Sequence, residues 1–519
     1  MSLPRIWSRS RLAFCSSRRH FADIASRRRG IVVGLFENAE KNAPSTSDNL
    51  TAASREINER SGGTLLKQLN YTKPLKNGHQ RILYGLDKSD ESLVCSVVGL
   101  GKKAAGVDTS EQIHEGKDSV RRAVAAGVSA LKSAGVTMIQ VDSCGHPDAA
   151  AEGAVLSLHT YDKLKSVKSR DPLVRIEPLV LNGTDSPSHS WREGIVMAES
   201  QNMARTWMDM PANKLTPTEF CAQAKLLFPN ALIRDTDWIR EQGMLAFLAV
   251  ASGSRQPPKF LEVHVEPKTV DSKDQRPVVL VGKGVTFDTG GISIKPSASM
   301  DMMRGDMGGA ATVLAAAYGA SKLSLKRKVI VLIPLTENMP GGNAIKPGDI
   351  VTARNGKSIK IDNTDAEGRL ILADALSYAD SFNPETVIDV ATLTGACHIA
   401  LGAAASAVFT PSDRTFNALQ QAGTDAGDRF WRMPLFKHYR NKMKTSSADL
   451  CNISKPTAGA GSCTAAAFLS EFTTCDNWVH IDIAGVAGLV APDDEIPYIK
   501  GTMTGRPTRA LIKWLLSLK

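Results

Sequence analysis

The sequence lacks both an apolar run long enough to cross a membrane and any CxxC pair. A membrane-spanning helix needs about 20 consecutive apolar residues, so we expect a soluble protein with no membrane partner. Eight cysteines are scattered along 519 residues. Such scatter, in a long chain without a secretory signal, is typical of reduced thiols packed as small apolar residues. A zinc site built on cysteine is therefore not expected.

Acidic residues are almost missing from the first 29 residues, where eight arginines face a single acid, Asp23. This segment carries a net charge of +7, which leaves +3 of the formal +10 for the rest of the chain. An Arg- and Ser-rich, acid-poor start is typical of an organellar presequence, and it lacks the continuous apolar stretch of a secretory signal. We predict a basic presequence-like leader over residues 1–29 and a mitochondrial location. A disordered basic tail on a cytoplasmic protein is the alternative.

The length of the chain predicts at least two domains, because one core rarely organises 519 residues. We assign residues 30–187 to a smaller N-terminal α/β domain and 210–519 to a larger catalytic domain. Residues 188–209 have apolar side chains at helical spacing, with Ser188 before them and Pro211 after them. A capping residue before a periodic stretch and a proline beyond it indicate a linking helix.

Apolar, β-branched runs alternate with helical stretches in the C-terminal half of the sequence. Predicted strands include Val278–Val281, Val329–Leu335 and Val387–Ala391, and predicted helices include Ala310–Ser321 and Leu370–Ala379. This alternation predicts an α/β fold whose central sheet is mostly parallel and flanked by helices. Sites in such sheets lie at the carboxyl ends of the strands, so the segments that follow these runs are the ones to examine.

A glycine-rich turn follows the first of these strands and carries Lys283 and Asp288. The spacing GxxxxGK[ST] of a phosphate-binding loop is absent, which argues against a nucleotide site. Lys295 and Asp306 come next, and Asp306 stands shortly before two glycines and an Ala-rich run. Considered alone, the glycine turn is equally well explained by backbone geometry, and Asp306 is better explained as the cap of a helix N-terminus.

The segment Asn363–Leu370 is more informative, because it follows an Asn-Gly hairpin signal between two short apolar runs. If the chain stays extended there, its period of two points Asp365, Glu367 and Arg369 to the same side. Neighbouring carboxylates repel one another and need a cation, which suits a divalent metal ion, while an arginine nearby suits an anion. A solvated acidic loop is the alternative, and the apolar sequence on both sides argues against it.

Four carboxylates in these segments together balance the charge of two divalent ions: Asp288, Asp306, Asp365 and Glu367. No histidine lies between Lys283 and Arg369, so a His-rich zinc site is excluded from this cluster. Oxygen ligands suit manganese and magnesium, and zinc also accepts them. The four carboxylates could therefore hold two divalent ions, and their oxygen ligands leave Mn²⁺, Mg²⁺ and Zn²⁺ open.

The run Asn-Thr-Asp-Ala-Glu-Gly-Arg-Leu at Asn363–Leu370 resembles the hallmark of the leucyl aminopeptidase (cytosol aminopeptidase) family, in its animal-type form. The similarity extends through Val281–Lys295, Met300–Ala311, Thr392–Gly395, His480–Gly485 and Met503–Pro507. It covers essentially all of residues 200–519. The resemblance implies a homohexameric metalloexopeptidase acting on peptides with a free N-terminus, with leucine preferred and other apolar residues accepted.

The same resemblance implies a role for each metal ligand. One metal ion would be held by Asp288, Asp365 and Glu367. The other would be held by Lys283, Asp288, Asp306 and Glu367, so that two carboxylates bridge the pair. Lys283 can ligate only as a neutral amine, and two neighbouring dications would lower its pKa.

The remaining implied roles concern catalysis and the substrate. Lys295 would polarise the substrate carbonyl and stabilise the oxyanion, and Arg369 would bind a bicarbonate ion that serves as general base. The implied substrate-binding residues are Met303, Asn363, Thr392, Leu393, Gly395, Ala484 and Ala487. Medium apolar walls suit leucine or methionine. Ala487 is smaller than the methionine expected there in animal relatives, which predicts a deeper or looser pocket.

Two other functions compete with this interpretation. A metal-dependent hydrolase of phosphate esters could use the same acidic cluster, but Lys283 and the pocket segments argue against it. A catalytically weak or non-peptidase hexameric scaffold on the same fold is disfavoured, because all five predicted ligand positions are intact. The charge of only +3 beyond the leader, without a basic patch interleaved with aromatic residues, argues against nucleic acid as a partner.

Overall fold

The computed structural model describes residues 28–518 except 39, 41, 42, 88, 91, 181–187, 268–275, 456–458, 490–495, 500 and 502. The predicted leader therefore lies outside the described residues, apart from its last two positions. The first strand begins at Arg29, one residue before the predicted start of the N-terminal domain.

The N-terminal part consists of β1 (Arg29–Leu35), α1 (Ala52–Arg60), α2 (Thr64–Asn70), β2 (Gln80–Tyr84), β3 (Val94–Gly99), β4 (Val107–Asp108), β5 (Ile113–His114), α3 (Glu115–Ser133), β6 (Met138–Val141), α4 (Pro147–Ser157) and β7 (Arg175–Pro178). Its main sheet has the order β2-β3-β1-β6-β7. Side chains alternate along a strand, so Val32 of β1 packs with α3 and α4, while Ile31 and Val33 pack with α1 and α2. Helices on both faces explain why this strand has no polar side chain after Arg29.

The C-terminal part follows with α5 (His189–Asp209), α6 (Pro217–Leu227), β8 (Leu232–Arg234), α7 (Thr236–Glu241), α8 (Leu245–Ala251), β9 (Lys259–Val265), β10 (Val278–Gly282), β11 (Gly284–Asp288), α9 (Gly308–Lys322), β12 (Val329–Asn338), β13 (Ile350–Thr352), β14 (Ser358–Lys360) and α10 (Gly368–Ala379). The chain then forms β15 (Thr386–Ala391), α11 (Gly395–Leu401), β16 (Ala405–Phe409), α12 (Asp413–Ala426), β17 (Arg429–Arg432), α13 (Lys437–Lys442), β18 (Leu450–Cys451), α14 (Gly461–Leu469), β19 (Trp478–Asp482) and α15 (Thr508–Ser517).

The large sheet has nine strands among the described residues, in the order β17-β16-β19-β15-β10-β12-β9-β8, with β11 pairing to β12. Its centre is parallel, from β19 through β15 and β10 to β12. The prediction of a mostly parallel central sheet is thus confirmed. Towards the two edges, β9 pairs antiparallel with both β12 and β8, and β16 pairs antiparallel with β19. The sequence pattern did not indicate these antiparallel pairs.

Two helices cover opposite faces of this sheet, and alternation along β10 explains the arrangement. Val278 and Leu280 pack with the alanines of α9, whereas Val279 and Val281 pack with Leu370 of α10. The alanine-rich face of α9 allows its backbone to approach the sheet closely. Both faces of β10 are therefore buried, as the unbroken apolar run of a parallel strand predicts.

Helix α5 connects the two parts of the chain. It begins after Ser188, whose hydroxyl accepts a hydrogen bond from Trp191 N at 3.2 Å, and it packs against α4 on one side and α9 on the other. A buried ion-pair cluster strengthens this junction. Glu152 of α4 accepts hydrogen bonds from Arg121 Nε of α3 at 2.6 Å and from Arg509 of α15. The N-terminal domain is thus fixed to the C-terminal helix as well as to the linker.

No helix within the described ranges combines the length and the apolar character that crossing a membrane requires.

Candidate metal centre

Polar residues gather where the central strands end. Lys283 directly follows β10, Asp288 is the last residue of β11, and Thr392 directly follows β15. The backbone brings these ends together, since Lys283 N donates to Val390 O at 3.0 Å. The site therefore lies at the carboxyl edge of the parallel strands, where the sequence predicted it.

Asp306 binds to residues at this edge of the sheet and does not cap a helix. It follows a 3₁₀ helix, Met300–Gly305, and the residue in the N-cap position of α9 is Met307, which makes no side-chain capping bond. The capping interpretation of Asp306 is thus wrong. Its Oδ1 instead accepts hydrogen bonds from Lys283 Nζ at 2.8 Å and from the Thr392 hydroxyl at 2.7 Å, because the short helix directs the chain back over the sheet.

The segment that carries Asp365 and Glu367 is not extended, which corrects the prediction of a period of two. The chain turns at residues 364 and 365, where Asp365 N donates to the side chain of Asn363 at 2.8 Å. Glu367 already has helical angles, φ −73° and ψ −36°, and Arg369 lies in the first turn of α10. A turn followed by a helix start, rather than a strand, brings the two carboxylates to the same place.

Three carboxylates form a compact cluster. Ligand-capable oxygens of Asp288, Asp365 and Glu367 all lie within 4.8 Å of one another. Lys295 Nζ lies 2.8 Å from Asp288 Oδ2 and 2.5 Å from Asp365 Oδ1. On the other side, Lys283 Nζ lies 3.0 Å from Glu367 Oε1, besides its bond to Asp306. Two ammonium groups thus alternate with four carboxylates, which leaves the group with a net charge of −2.

Burial makes this excess negative charge expensive. Burial, with repulsion from Asp288, raises the pKa of Glu367 to about 8, and burial raises the pKa of Asp306 to about 6. Burial alone would lower the pKa of Lys283, but the carboxylates of Asp306 and Glu367 outweigh it and hold the pKa above its ordinary value. The cluster lacks positive charge, and it would take up protons unless other cations supply that charge.

Unsatisfied oxygens indicate what kind of cation fits. Both carboxylate oxygens of Glu367 are buried and accept no hydrogen bond, although the Lys283 ammonium lies 3.0 Å from Oε1, and Asp306 Oδ2 is likewise buried without a hydrogen bond. Buried polar atoms in folded proteins are nearly always satisfied by a hydrogen bond or an ion. Divalent cations bind carboxylate oxygens, so the residues of this cluster fit such ions in donor type, charge and position.

Arg369 offers a complementary feature on the helix side of the cluster. Its Nη1 donates to Asn452 O at 2.7 Å, whereas its Nε is buried and has no hydrogen-bond partner. Burial lowers the pKa of Arg369 to about 10, and the Glu367 carboxylate opposes the shift. The guanidinium remains a cation at neutral pH, and its buried Nε–H is available to a small anion.

The residues predicted to bind substrate occupy four segments. Met303 is half-buried on the 3₁₀ helix, and Asn363 is half-buried in the turn before Asp365. A Cβ built on Gly395 meets no atom within 4 Å, so the loop there borders open space. Ala484 is buried and Ala487 is fully buried within the core. Thr392 holds Asp306, and its neighbour Leu393 is half-buried.

Two asparagines that were not predicted from the sequence form hydrogen bonds to residues of the site. Asn338, at the end of β12, donates from Nδ2 to Asp288 Oδ1 at 2.8 Å and to Thr364 O at 3.1 Å. Asn452, after β18, accepts from Asp362 N at 2.9 Å and donates to Asn363 O at 2.6 Å. The sequence could have indicated Asn338, because it follows a predicted strand. No such pattern indicated Asn452, because the strand before it is only two residues long.

Replacing Gly368 by Ala is expected to weaken metal binding about 10–100-fold, the usual cost of disturbing the groups that orient metal ligands. A Cβ there would lie 2.5 Å from Lys283 Cε and 2.7 Å from Lys283 Nζ. Lys283 is only 3% exposed, so its amine would leave Asp306 or Thr392 O rather than move into solvent. Calorimetric titration of metal-stripped protein with Mn²⁺ measures the change.

Gly342→Ala is the matched control for this substitution, because a Cβ at Gly342 meets nothing within 4 Å. Alanine is the better helix former, so Gly368→Ala is not expected to weaken α10. Equal Mn²⁺ affinity of the two variants would contradict the steric argument.

Comparison with known proteins places these features in a family. Residues 202–512 match the model of the cytosol aminopeptidase family, catalytic domain, and residues 32–168 match the N-terminal domain of the same family. The cytosol aminopeptidase of Bos taurus is 47% identical over 523 residues, which cover 99% of this chain and 95% of that protein. The cytosol aminopeptidase of Homo sapiens is 48% identical over 497 residues, 94% of this chain and 92% of that protein.

A solved structure of similar architecture is the bottromycin maturation enzyme BotP in complex with Mn. It superimposes with a TM-score of 0.77 at 32% sequence identity and covers 95% of this chain and 99% of its own.

Proposed function

Because this chain belongs to the cytosol aminopeptidase family and is a metal-dependent aminopeptidase, we propose that it releases leucine and other apolar residues from peptide N-termini at the acidic cluster. The observation that carries this proposal is a cluster of carboxylates in which both oxygens of Glu367 and Oδ2 of Asp306 are buried and accept no hydrogen bond. The proposed metal ligands are Lys283, Asp288, Asp306, Asp365 and Glu367.

Each proposed ligand set has support in the distances. The carboxylates of Asp288, Asp365 and Glu367 would hold one ion, and their oxygens are already within 4.8 Å of one another. Lys283 and Asp306 would complete the second set, and Lys283 Nζ lies beside both Asp306 and Glu367. Mn²⁺ and Zn²⁺ are the proposed ions, with Mg²⁺ possible on ligand chemistry. The Mn complex of the similar bottromycin enzyme supports manganese.

Bound divalent ions would supply a water of lowered pKa as nucleophile for the scissile carbonyl. The protein's own groups then have to place the substrate and handle charge. Asp306 would lie near the substrate's free α-amine, so that a free N-terminus would be required. Arg369, with its unpartnered Nε, would hold a bicarbonate ion that serves as base.

Lys295 is proposed as the oxyanion donor. Burial alone would lower the pKa of its ammonium, but the carboxylates around it, above all Asp288, raise the pKa, so the group stays protonated at neutral pH. Its side chain is 23% exposed, in contrast to the enclosed Lys283. A protonated amine at the open side of the cluster can donate to the carbonyl oxygen as negative charge develops there.

The proposed pocket for the N-terminal side chain is lined by Met303, Asn363, Thr392, Leu393, Gly395, Ala484 and Ala487. Open space beside Gly395 supports this position. Ala487 is fully buried, so its contribution would be depth at the base of the pocket rather than an exposed wall. Discrimination among similar apolar side chains is expected to be modest, since one methylene is worth about 1–3 kcal/mol.

We also propose a homohexameric assembly and a mitochondrial location, with the cytoplasm as the alternative. The arginine-rich first 29 residues support the location. Multi-angle light scattering of the purified protein tests the assembly. Import into isolated mitochondria, measured with and without residues 1–29, tests the location.

Hydrolysis of leucine p-nitroanilide by protein lacking residues 1–29 tests the proposed function. The protein is assayed after removal of metal and again after addition of Mn²⁺ or Zn²⁺. We expect activity to return with metal and to be absent with the N-acetylated substrate. Bound metal without any hydrolysis would shift the interpretation to a scaffold or binding protein on the same fold.

A further inference from the structure

Asp482 is a fully buried carboxylate that the proposed mechanism does not use. It is the last residue of β19 and lies between Ala391 of β15 and Ala407 of β16. The strands on either side exclude water from it. A buried carboxylate is costly unless hydrogen bonds satisfy it, so its partners show what it stabilises.

Those partners belong to two separate segments. Asp482 Oδ1 accepts hydrogen bonds from Leu393 N at 3.2 Å and from Ala484 N at 3.1 Å. Oδ2 accepts one from the Thr394 hydroxyl at 2.7 Å. One carboxylate thus joins the loop after β15 to the turn after β19.

Thr394 extends this connection into α11. Its hydroxyl has a single proton, which goes to Asp482, and a free lone pair accepts Cys397 N at 3.0 Å as the cap of α11. The thiol of Cys397 in turn donates to Asp482 O at 3.6 Å. The start of α11 is therefore oriented by Asp482 as well as by its own cap.

Both joined segments border the site. On one side, Thr392 bonds to Lys283 and Asp306, and Gly395 faces open space. On the other, a Cβ at Gly485 would lie 2.2 Å from Gly402 O, so the turn after β19 packs directly on the end of α11. A shift of α11 relative to this turn would change the distance between the two segments.

We propose that Asp482 and Thr394 are positioning residues that set the width of the pocket for the substrate's N-terminal side chain. This inference rests on the proposed function, because it takes the segments at residues 392–395 and 484–487 as the walls of that pocket. Neither residue touches substrate. They act by holding the two walls at a separation that favours leucine over smaller side chains.

Thr394→Val tests the proposal, with Thr394→Ser as the matched control that restores the hydroxyl. The readout is the ratio of kcat/KM for leucine p-nitroanilide to kcat/KM for alanine p-nitroanilide, with bound metal measured in parallel. Thr394→Val is expected to lower the ratio about 10-fold, mainly through KM for the leucine substrate, since a poorly fitted side chain loses about this much. Thr394→Ser is expected to keep the wild-type ratio.

A second pair of variants tests whether the two residues act as one unit. Asp482→Ala is expected to lower the ratio at least as far as Thr394→Val, and the double variant is expected to lower it no further, because groups acting through one contact are not additive. If Thr394→Val does not fold, Thr394→Ala removes the same hydroxyl without added bulk and gives the same readout.

Two results separate failure of this inference from failure of the proposed function. A wild-type protein that hydrolyses neither substrate refutes the proposed function. An active wild type whose variants lose both substrates by the same factor, or whose double variant is fully additive, overturns the positioning role.

Discussion

Glu367→Gln is expected to lose bound metal. Its peptidase activity is expected to fall by far more than the roughly 10–100-fold loss seen when a group that only orients a metal ligand is disturbed. Glu367 is 1% exposed, and both of its oxygens are without a hydrogen bond. An amide replaces one of these acceptors by a donor and removes the charge that would bridge two ions. Asp288→Asn is expected to have the same effect, because Asp288 is the other proposed bridge.

The measurement is metal per chain by mass spectrometry, together with kcat/KM on leucine p-nitroanilide. Glu337→Gln is the matched control, since Glu337 lies in the same domain and accepts its hydrogen bond from Ser254 at 2.6 Å, outside the cluster. Two bound ions and normal turnover in Glu367→Gln would refute the bridging assignment.

Lys295→Ala is expected to lower kcat by about 10²–10³-fold, the usual loss for an oxyanion donor, while the metal stays bound. Its ammonium lies between Asp288 Oδ2 and Asp365 Oδ1. Removing that cation leaves these carboxylates more negative, so a divalent ion should bind no more weakly. The loss is expected in kcat more than in KM, because the contact would strengthen as charge develops on the oxygen.

Metal content measured beside kcat separates this role from a structural one. Lys346→Ala serves as the control, since the Lys346 side chain is 68% exposed and pairs only with Asp349 among the ion pairs of the described residues. A fall in bound metal equal to the fall in kcat would assign Lys295 to holding the cluster together instead.

Much of the fold follows from local patterns in the sequence. The runs predicted as β10, β12 and β15 became buried strands because each places apolar side chains on both faces of the sheet. Edge strands were missed because they carry no such run. Leu232–Arg234, for example, is three residues long and partly exposed, so its place in the sheet comes from pairing with β9.

Two local interpretations failed for the same physical reason. An extended chain over residues 363–369 was the condition for placing Asp365, Glu367 and Arg369 on one side, but α10 begins at Gly368 and buries Leu370 and Ile371 completely. Asp306 was read as a helix cap, but a buried amine and a hydroxyl from other strands compete for its carboxylate. In both cases tertiary contacts outweigh a weak local preference.

The sequence alone determines which types of residue occur at the site, in what order, and that they follow apolar strands. These features depend only on composition and spacing along the chain. The family hallmark at Asn363–Leu370 can be recognised in the sequence for that reason. Distances, burial and unsatisfied oxygens exist only after the strands pair, since Lys283, Glu367, Asn452 and Asp482 are far apart in sequence. Parallel pairing of β10, β15 and β19 brings their carboxyl ends to one edge, and the packing of α10 and α11 against that edge places the side chains.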